Sequence, residues 1–475
     1  MTDRLSWHPT AETALPSSGE WVQGALLAGD PAQTCLQMGR PVSRQELSDM
    51  VAQQVKQLEA AGLAPGGSVT LHLPPSLGYV ASLLAAWQAG AQVSLLDHRL
   101  APAEVQRALD RLMPQVVVAA DQVSGSAMSG YADVVPAARP RPGGRGAQTG
   151  HSLIQLSSGS TGPSKVIART AADLVAELER YDQLALYPKS GDRIVLLASI
   201  VHVLGLVGGL LYSLHAGVQL VYPQRLTADG IRAAVAGSPE PAMVLGVPFH
   251  AELMAAVPKP VPQLARMVVA GELLRPAVRD AFTAGYQVPL GTMYGMTELG
   301  VIATDLSGEH APAVAPAPGM TLRVADGELQ VKMAASPYIG LVDPTRWADG
   351  WLHTRDAARI DEATGLVTIL GRLDSQVAIG GLKVDLTEVE QTLCELPQVA
   401  VAVVSFDTAI EAYLVLREGC ALADAVAAMT DQLAAYKRPR RLHVLTEMPR
   451  TATGKVVRDR AVLRAVVGAG PAVTP

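Results

Sequence analysis

Helical and strand-like hydrophobic periods alternate without interruption between residues 43 and 120, and that alternation confines the chain to a layered α/β architecture. Residues 43–61 carry a helical period opened by Ser43, with Glu46 at the capping-box position. Residues 68–73, 92–96 and 116–120 read as strands, separated by an apolar helix over 78–89 that ends at Gly90 and by a second helix over 102–112. Such a series predicts a mostly parallel sheet covered by helices on both faces. Residues 121–149, rich in Gly, Pro, Ser and Ala, read as a linker. The rhythm resumes after Lys165 and runs to about Leu290, and the turn-punctuated segments from 320 to 370 predict antiparallel hairpins. Beyond Arg372 come a helix (385–396), two strands (399–405 and 411–417), a helix (421–433) and an Ala/Val-rich tail, enough for a small α+β domain.

A chain of 475 residues, 49% hydrophobic and 17% charged, has material for more than one core. Its net charge of -6 offers no electrostatic footprint for nucleic acid. Residues 194–222 contain no Lys, Arg, Asp or Glu and are long enough to cross a bilayer. Their two histidines, four glycines and strand-like end instead predict a buried strand, helix and strand, so no membrane span is expected. Cys35, Cys394 and Cys420 match no metal spacing and leave an odd thiol under any pairing. With an N-terminus lacking an apolar segment, they point to a reducing cytoplasm.

Four stretches carry candidate chemistry. The first, Ser157, Ser158, Gly159, Ser160, Thr161, Gly162 and onward to Lys165, lies between two apolar strand-like segments. Glycines that let the backbone approach a ligand, with converging hydroxyls and N–H groups, suit phosphate oxygens, although the stretch also reads as a flexible surface loop. It is not a Walker A loop, because the required glycine spacing before Gly-Lys-Ser/Thr is missing. The second stretch, residues 291–300, sets Thr297 beside Glu298. Hydroxyl and carboxylate together suit phosphate plus Mg²⁺, and equally suit the cap of a helix start. The third, residues 350–356 and 371–374, contains Asp356, able to accept both hydroxyls of a ribose or to stand as an ordinary surface acid. The fourth, residues 449–458, is a turn presenting Lys455, which alone reads as solvated.

In this order the four stretches resemble the signature motifs of the adenylate-forming superfamily, whose members include acyl- and aryl-CoA synthetases, the adenylation domains of nonribosomal peptide synthetases, and luciferases. The resemblance runs from about Arg40 to Arg458. It implies a large N-terminal domain (1–373) of mostly parallel, helix-covered sheets plus a β-rich subdomain. A hinge at Asp374 and a small mobile α+β domain (375–475) would follow. Ser157 to Lys165 would hold the β- and γ-phosphates of ATP. Gly271, Glu272 and Leu273 would frame adenine, Tyr294 beside Gly295 would stack on it, Thr297 would contact the α-phosphate, and Glu298 would bind Mg²⁺. Asp356 and Arg372 would meet the ribose. Lys455 matches the mobile catalytic lysine, and Gly380 and Gly381 lie on the face that replaces it for the second half-reaction.

These implications describe activation of a carboxylic acid as its adenylate, then transfer to a thiol, either coenzyme A or a carrier protein. Residues 199–205 resemble the segment where acyl- and aryl-CoA ligases carry a histidine bordering the acyl pocket. Amino-acid-activating relatives place an Asp there, and no carboxylate occurs here, so a substrate without an α-amino group is expected. Val201, His202, Leu206, Ala270 and Met293 would line the pocket; His202 also reads as a core histidine. Only 3 Phe in the chain tilt the expectation from aryl toward aliphatic or alicyclic acids. Arg355 replaces the Gly that normally precedes the ribose carboxylate, and Ala378 alters the hinge-side segment. Residues 333–340 lack the usual Gly-rich wording. A member that stops at the adenylate, or a silent nucleotide- or acyl-binding homologue, are the alternatives.

Overall fold

The computed structural model describes residues 19–100, 102–124, 129–156, 165–341, 343–373, 376–379, 382–433, 435–451 and 454–467. The chain divides into two compact units. One comprises the described residues up to Thr321 together with Lys332–Gly350, the other Leu322–Val331 together with the described residues from Trp351 onward.

In the first unit, the hairpin of β1 (Thr34–Met38) and β2 (Arg40–Ser43) leads into α1 (Arg44–Ala60), capped by Ser43, whose Oγ accepts from the Glu46 N–H at 3.1 Å. There follow β3 (Ser68–His72), α2 (Leu77–Gln88), β4 (Gln92–Leu95), α3 (Pro102–Leu112) and β5 (Val116–Ser124), with β3 parallel to both β4 and β5. The expected linker is corrected here. Residues 133–140 form β6 (Asp133–Pro140), antiparallel to β5 from Val116↔Pro140 to Ser124↔Asp133. Its prolines hid it, yet β6 is an edge strand with no fully buried residue, the one place in a sheet where Pro is tolerated. The sheet is completed by β7 (Leu153–Leu156), parallel to β4, and β8 (Val166–Arg169), antiparallel to β7 with Leu156 opposite Val166.

A second sheet of this unit is built from α4 (Ala171–Asp182), β9 (Arg193–Leu196), α5 (Tyr212–Ala216), β10 (Gln219–Val221), α6 (Ala228–Ala236), β11 (Ala242–Gly246), α7 (Pro248–Ala255), β12 (Leu264–Ala270), α8 (Pro276–Tyr286), β13 (Leu290–Met296), β14 (Gly300–Asp305) and β15 (Ala313–Pro316). Strands β13-β12-β11-β9-β10-β1 run parallel, with β14 and β15 antiparallel at one end and β2 at the other. The uncharged run is core, as expected: β9, a π-wound helix over Leu204–Leu211 continuing into α5, and β10. Leu206, Val207, Leu210 and Leu211 are fully buried, each contributing about 2 kcal/mol relative to exposure. Among the described residues no helix is long and apolar enough to cross a membrane.

The second unit opens with the hairpin β16 (Leu322–Ala325) and β17 (Glu328–Lys332); a short β18 (Trp347–Ala348) lies in the first unit. Then come β19 (Trp351–Ile360) and β20 (Val367–Arg372), in the order β16-β17-β19-β20. After the hairpin β21 (Gln376–Ile379) and β22 (Leu382–Asp385), α9 (Leu386–Glu395) packs on β23 (Val399–Phe406), which pairs antiparallel with β24 (Ile410–Leu416). Beyond α10 (Leu422–Gln432) the expected tail proves structured. It contains β25 (Arg441–Val444), parallel to β24, and α11 (Arg460–Val467), whose Leu463 is fully buried.

Candidate functional site

Tyr294, Gly295, Thr297 and Glu298 all ride on the β13–β14 hairpin. Thr297, Glu298 and Leu299 form its turn, with the Leu299 N–H donating to the Met296 carbonyl at 3.2 Å, so the Thr-Glu pair is not a helix start. Gly300 follows with φ +84, and a Cβ there would overlap the Glu177 carboxylate. Glu177, fully buried on α4, accepts from the Val301 N–H at 3.0 Å, and its Oε2 lies 2.6 Å from Nη1 of the equally buried Arg169 at the end of β8. Glu177 and Arg169 thus offset each other's charge in a buried ion pair, with the second Glu177 oxygen satisfied by the Val301 N–H. It ties the strand that follows residues 157–164 to the turn that carries Thr297 and Glu298.

Glu298 is only 8% exposed, and its Oε1 accepts from the Tyr338 hydroxyl at 2.8 Å. Burial, and then the neighbouring Glu298 charge, push the Tyr338 phenol far above its ordinary range, so it stays protonated and donates. Lys165 Nζ stands 5.7 Å from the centre of the same ring, within cation–π range. Two backbone bonds pin the segment to β8. The Ala168 N–H donates to the Pro337 carbonyl at 2.9 Å, and the Ile339 N–H to Val166 at 3.0 Å. Among the described residues Oε2 of Glu298 has no hydrogen-bond partner, and no three His, Cys, Asp or Glu side chains cluster into a metal cage. One carboxylate with an open oxygen fits Mg²⁺ of the kind that shares its shell with substrate phosphates and water. Sequence reasoning passed over Tyr338, since nothing in residues 333–340 announces it.

The pocket residues divide. Val201, Leu206, Ala270 and Met293 are buried in one hydrophobic core, with Ala270 and Met293 in register on β12 and β13. His202 is exposed, which removes the core-histidine alternative. Its segment is held by the Tyr79 hydroxyl, donating to the Ile200 carbonyl at 3.1 Å, and by Gln155 Nε2 on β7, donating to Val201 at 2.7 Å. Gly271 (φ +92), Glu272 and Leu273 are exposed at the C-terminal end of β12, the edge where open α/β sheets bind ligands. Ser157, Ser158, Gly159, Ser160, Thr161, Gly162, Asp374, Gly380 and Gly381 lie outside the described residues.

In the second unit Asp356 and Arg372 are cross-strand partners on β19 and β20, their side chains 3.3 Å apart. Arg355 has φ +62, the left-handed region that favours the Gly it replaces, and its N–H donates to Glu328 Oε1 at 2.7 Å. Lys455 is exposed on a tight turn: the Thr451 N–H donates to its carbonyl at 2.6 Å, and Arg450 Nη1 to the Gly454 carbonyl at 2.8 Å. Three residues on, Arg458 grips Glu390 of α9 through two bonds of 2.6 and 2.8 Å, while Glu390 also accepts from the Val404 N–H at 3.0 Å. The lysine turn is thereby anchored to α9 and β23.

A parallel sheet ending in a Thr-Glu hairpin, and a small α+β unit that displays a lysine on a braced turn, are the arrangement that the resemblance to adenylate-forming enzymes implies. The AMP-binding enzyme model matches residues 25–335 and the AMP-binding enzyme C-terminal domain model residues 388–455, and the chain belongs to that family. It is 28% identical over 464 residues to p-hydroxybenzoic acid--AMP ligase FadD22 of Mycobacterium marinum, covering 88% of this chain and 65% of that protein, so it spans less than two thirds of that relative's length. It is also 28% identical over 473 residues to 3-[(3aS,4S,7aS)-7a-methyl-1,5-dioxo-octahydro-1H-inden-4-yl]propanoyl:CoA ligase of Mycobacterium tuberculosis, covering 86% of this chain and 91% of that one. The fold is shared with O-succinylbenzoate coenzyme A synthetase from Bacillus subtilis in complex with AMP, at a TM-score of 0.78 and 20% identity over 94% of this chain and 98% of that one.

Proposed function

We propose that this chain activates a hydrophobic, non-amino carboxylic acid with ATP and passes the acyl group to the thiol of coenzyme A. In the first half-reaction a carboxylate oxygen attacks the α-phosphorus, the bond to the bridging oxygen breaks, and pyrophosphate leaves. The barrier lies in bringing an anion to a polyanion, so preorganised positive charge and hydrogen-bond donors supply most of the acceleration. Lys455 provides the mobile cation and Thr297 a donor to the α-phosphate. Lys165 with residues 157–162 holds the departing phosphates. Tyr294 stacks on adenine, framed by residues 271–273, while Asp356 and Arg372 hold the ribose. Glu298 would hold Mg²⁺, which when bound would neutralise phosphate charge. In the second half-reaction the thiol attacks the acyl carbon of the mixed anhydride and AMP leaves, with Gly380 and Gly381 facing the thiol after a swing about Asp374.

The observation that carries this reading is the Glu298 carboxylate, held at one oxygen by Tyr338 and open at the other, on a turn that also bears Thr297. The apolar wall of Val201, Leu206, Ala270 and Met293, bordered by His202, supports a hydrophobic acid. The relative that makes an indane-propanoyl thioester supports coenzyme A as acceptor and an alicyclic acid. A second reading, in which the chain forms the adenylate and leaves thioester formation to a partner, is supported by the relative named as an AMP ligase.

A hydroxylamine-trapped screen of alkyl, aryl and alicyclic acids tests the activity, followed by mass spectrometry with coenzyme A and with holo carrier protein. Hydroxamate formation with apolar acids and none with amino acids is expected. Absence of hydroxamate and pyrophosphate across the panel would overturn the reading.

A further inference from the structure

We infer that Tyr338 is a positioning residue that couples the metal carboxylate to the phosphate-side lysine: its hydroxyl sets the aim of Glu298 and its ring seats Lys165. The inference rests on the roles proposed above for Glu298 and Lys165, and it adds a residue that neither the signature stretches nor the expected site contains.

Three observations converge on it. The Tyr338 ring is 8% exposed, lies opposite Ile167 of β8, and is locked there by the backbone bonds of Pro337 and Ile339, so it has no freedom to follow Glu298. Its hydroxyl, 2.8 Å from Oε1, holds one carboxylate oxygen and leaves Oε2 without a hydrogen-bond partner among the described residues. A hydrogen-bond donor of this kind fixes a ligand's orientation without touching the metal. The same ring meets Lys165 Nζ at 5.7 Å, so a single anchored side chain touches both the cation proposed for phosphate oxygens and the carboxylate that would hold the metal. The Arg169–Glu177–Val301 network holds β8 and the β13–β14 hairpin in register around it.

The test separates hydroxyl from ring and measures metal binding directly. Mn²⁺ binding in the presence of ATP is followed by electron paramagnetic resonance for the parent, Tyr338→Phe and Tyr338→Leu, alongside kcat at saturating metal and the KM for ATP. Tyr338→Phe should raise the Mn²⁺ half-saturation about tenfold and leave kcat at saturating Mn²⁺ within about threefold. Tyr338→Leu should add about a threefold rise in the KM for ATP through loss of the cation–π contact. A purely structural tyrosine would lower the melting temperature without moving the metal midpoint. Metal half-saturation in Tyr338→Phe equal to the parent's overturns the inference while leaving the proposed activity intact. A parent that takes up no Mn²⁺ with ATP overturns both. Should the Phe variant not fold, the Mn²⁺ midpoint of Tyr338→Leu decides: about a tenfold rise supports the inference and an unchanged midpoint defeats it.

Discussion

Asp356 and Arg372 stand directly opposite each other on β19 and β20, Arg372 Nη1 lying 3.3 Å from Asp356 Oδ1 and an equal distance from the Thr354 carbonyl. The Arg372 side chain is 48% exposed, so the pair adds little to stability; its worth lies in holding the acid at a strand position. Asp356→Asn should therefore raise the KM for ATP by about tenfold, the effect of one charge-assisted hydrogen bond, with a melting temperature within about 2 °C of the parent's. A large fall in melting temperature with an unchanged KM would make the acid structural.

The neighbouring Arg355 pays for its φ of +62, a conformation that costs a non-glycine residue about 1 kcal/mol. Arg355→Gly should recover up to about 1 kcal/mol, offset in part by greater freedom of the unfolded chain. Urea unfolding measures it, and a variant less stable than the parent would show that the arginine side chain repays the strain.

Arg458 braces the lysine turn through Glu390, and its side chain is 60% exposed. Arg458→Ala is expected to lower adenylation kcat on the order of tenfold by loosening a positioned group, with under about 1 kcal/mol lost in stability. Pyrophosphate release and chemical denaturation read the two effects separately, and an unchanged kcat would detach Lys455 from this brace.

His250, at the start of α7, accepts from the Val247 N–H through Nδ1 at 3.1 Å, and burial holds its pKa down to about 4. A folded value below the unfolded value of about 6.5 means that the neutral ring's contribution is full above pH 6.5 and is lost as pH falls toward 4. The parent should lose about 2 kcal/mol more than His250→Gln between pH 7 and pH 5. Parallel urea midpoints for the two proteins across that range would contradict it.

Much of the architecture was legible because it is periodic. The helix expected over residues 102–112 is α3 (Pro102–Leu112), the cap at Ser43 forms, and the uncharged run of 194–222 is a buried strand, helix and strand. β6 was hidden by prolines that its edge position accepts, whereas α11 carries apolar residues at helical spacing (Val462, Leu463, Val466, Val467) that the reading of the tail passed over. Arg355 announced itself as a replaced glycine, and the positive φ supplies the reason. Tyr338 did not, because its partner Glu298 is 40 residues away and their contact is made by tertiary packing that no local pattern encodes.

The central claim is that Lys455 supplies the cation of adenylation and of that half-reaction alone. Its turn is braced at both ends, by Arg450 on the Gly454 carbonyl and by Arg458 on Glu390. The direct measurement compares Lys455→Ala with the parent in two assays: pyrophosphate release from ATP plus the acid found in the screen, and thioester formation from supplied acyl-adenylate plus coenzyme A. The account predicts a loss on the order of a hundredfold or more in the first and a change within about threefold in the second. Equal losses in both would contradict it.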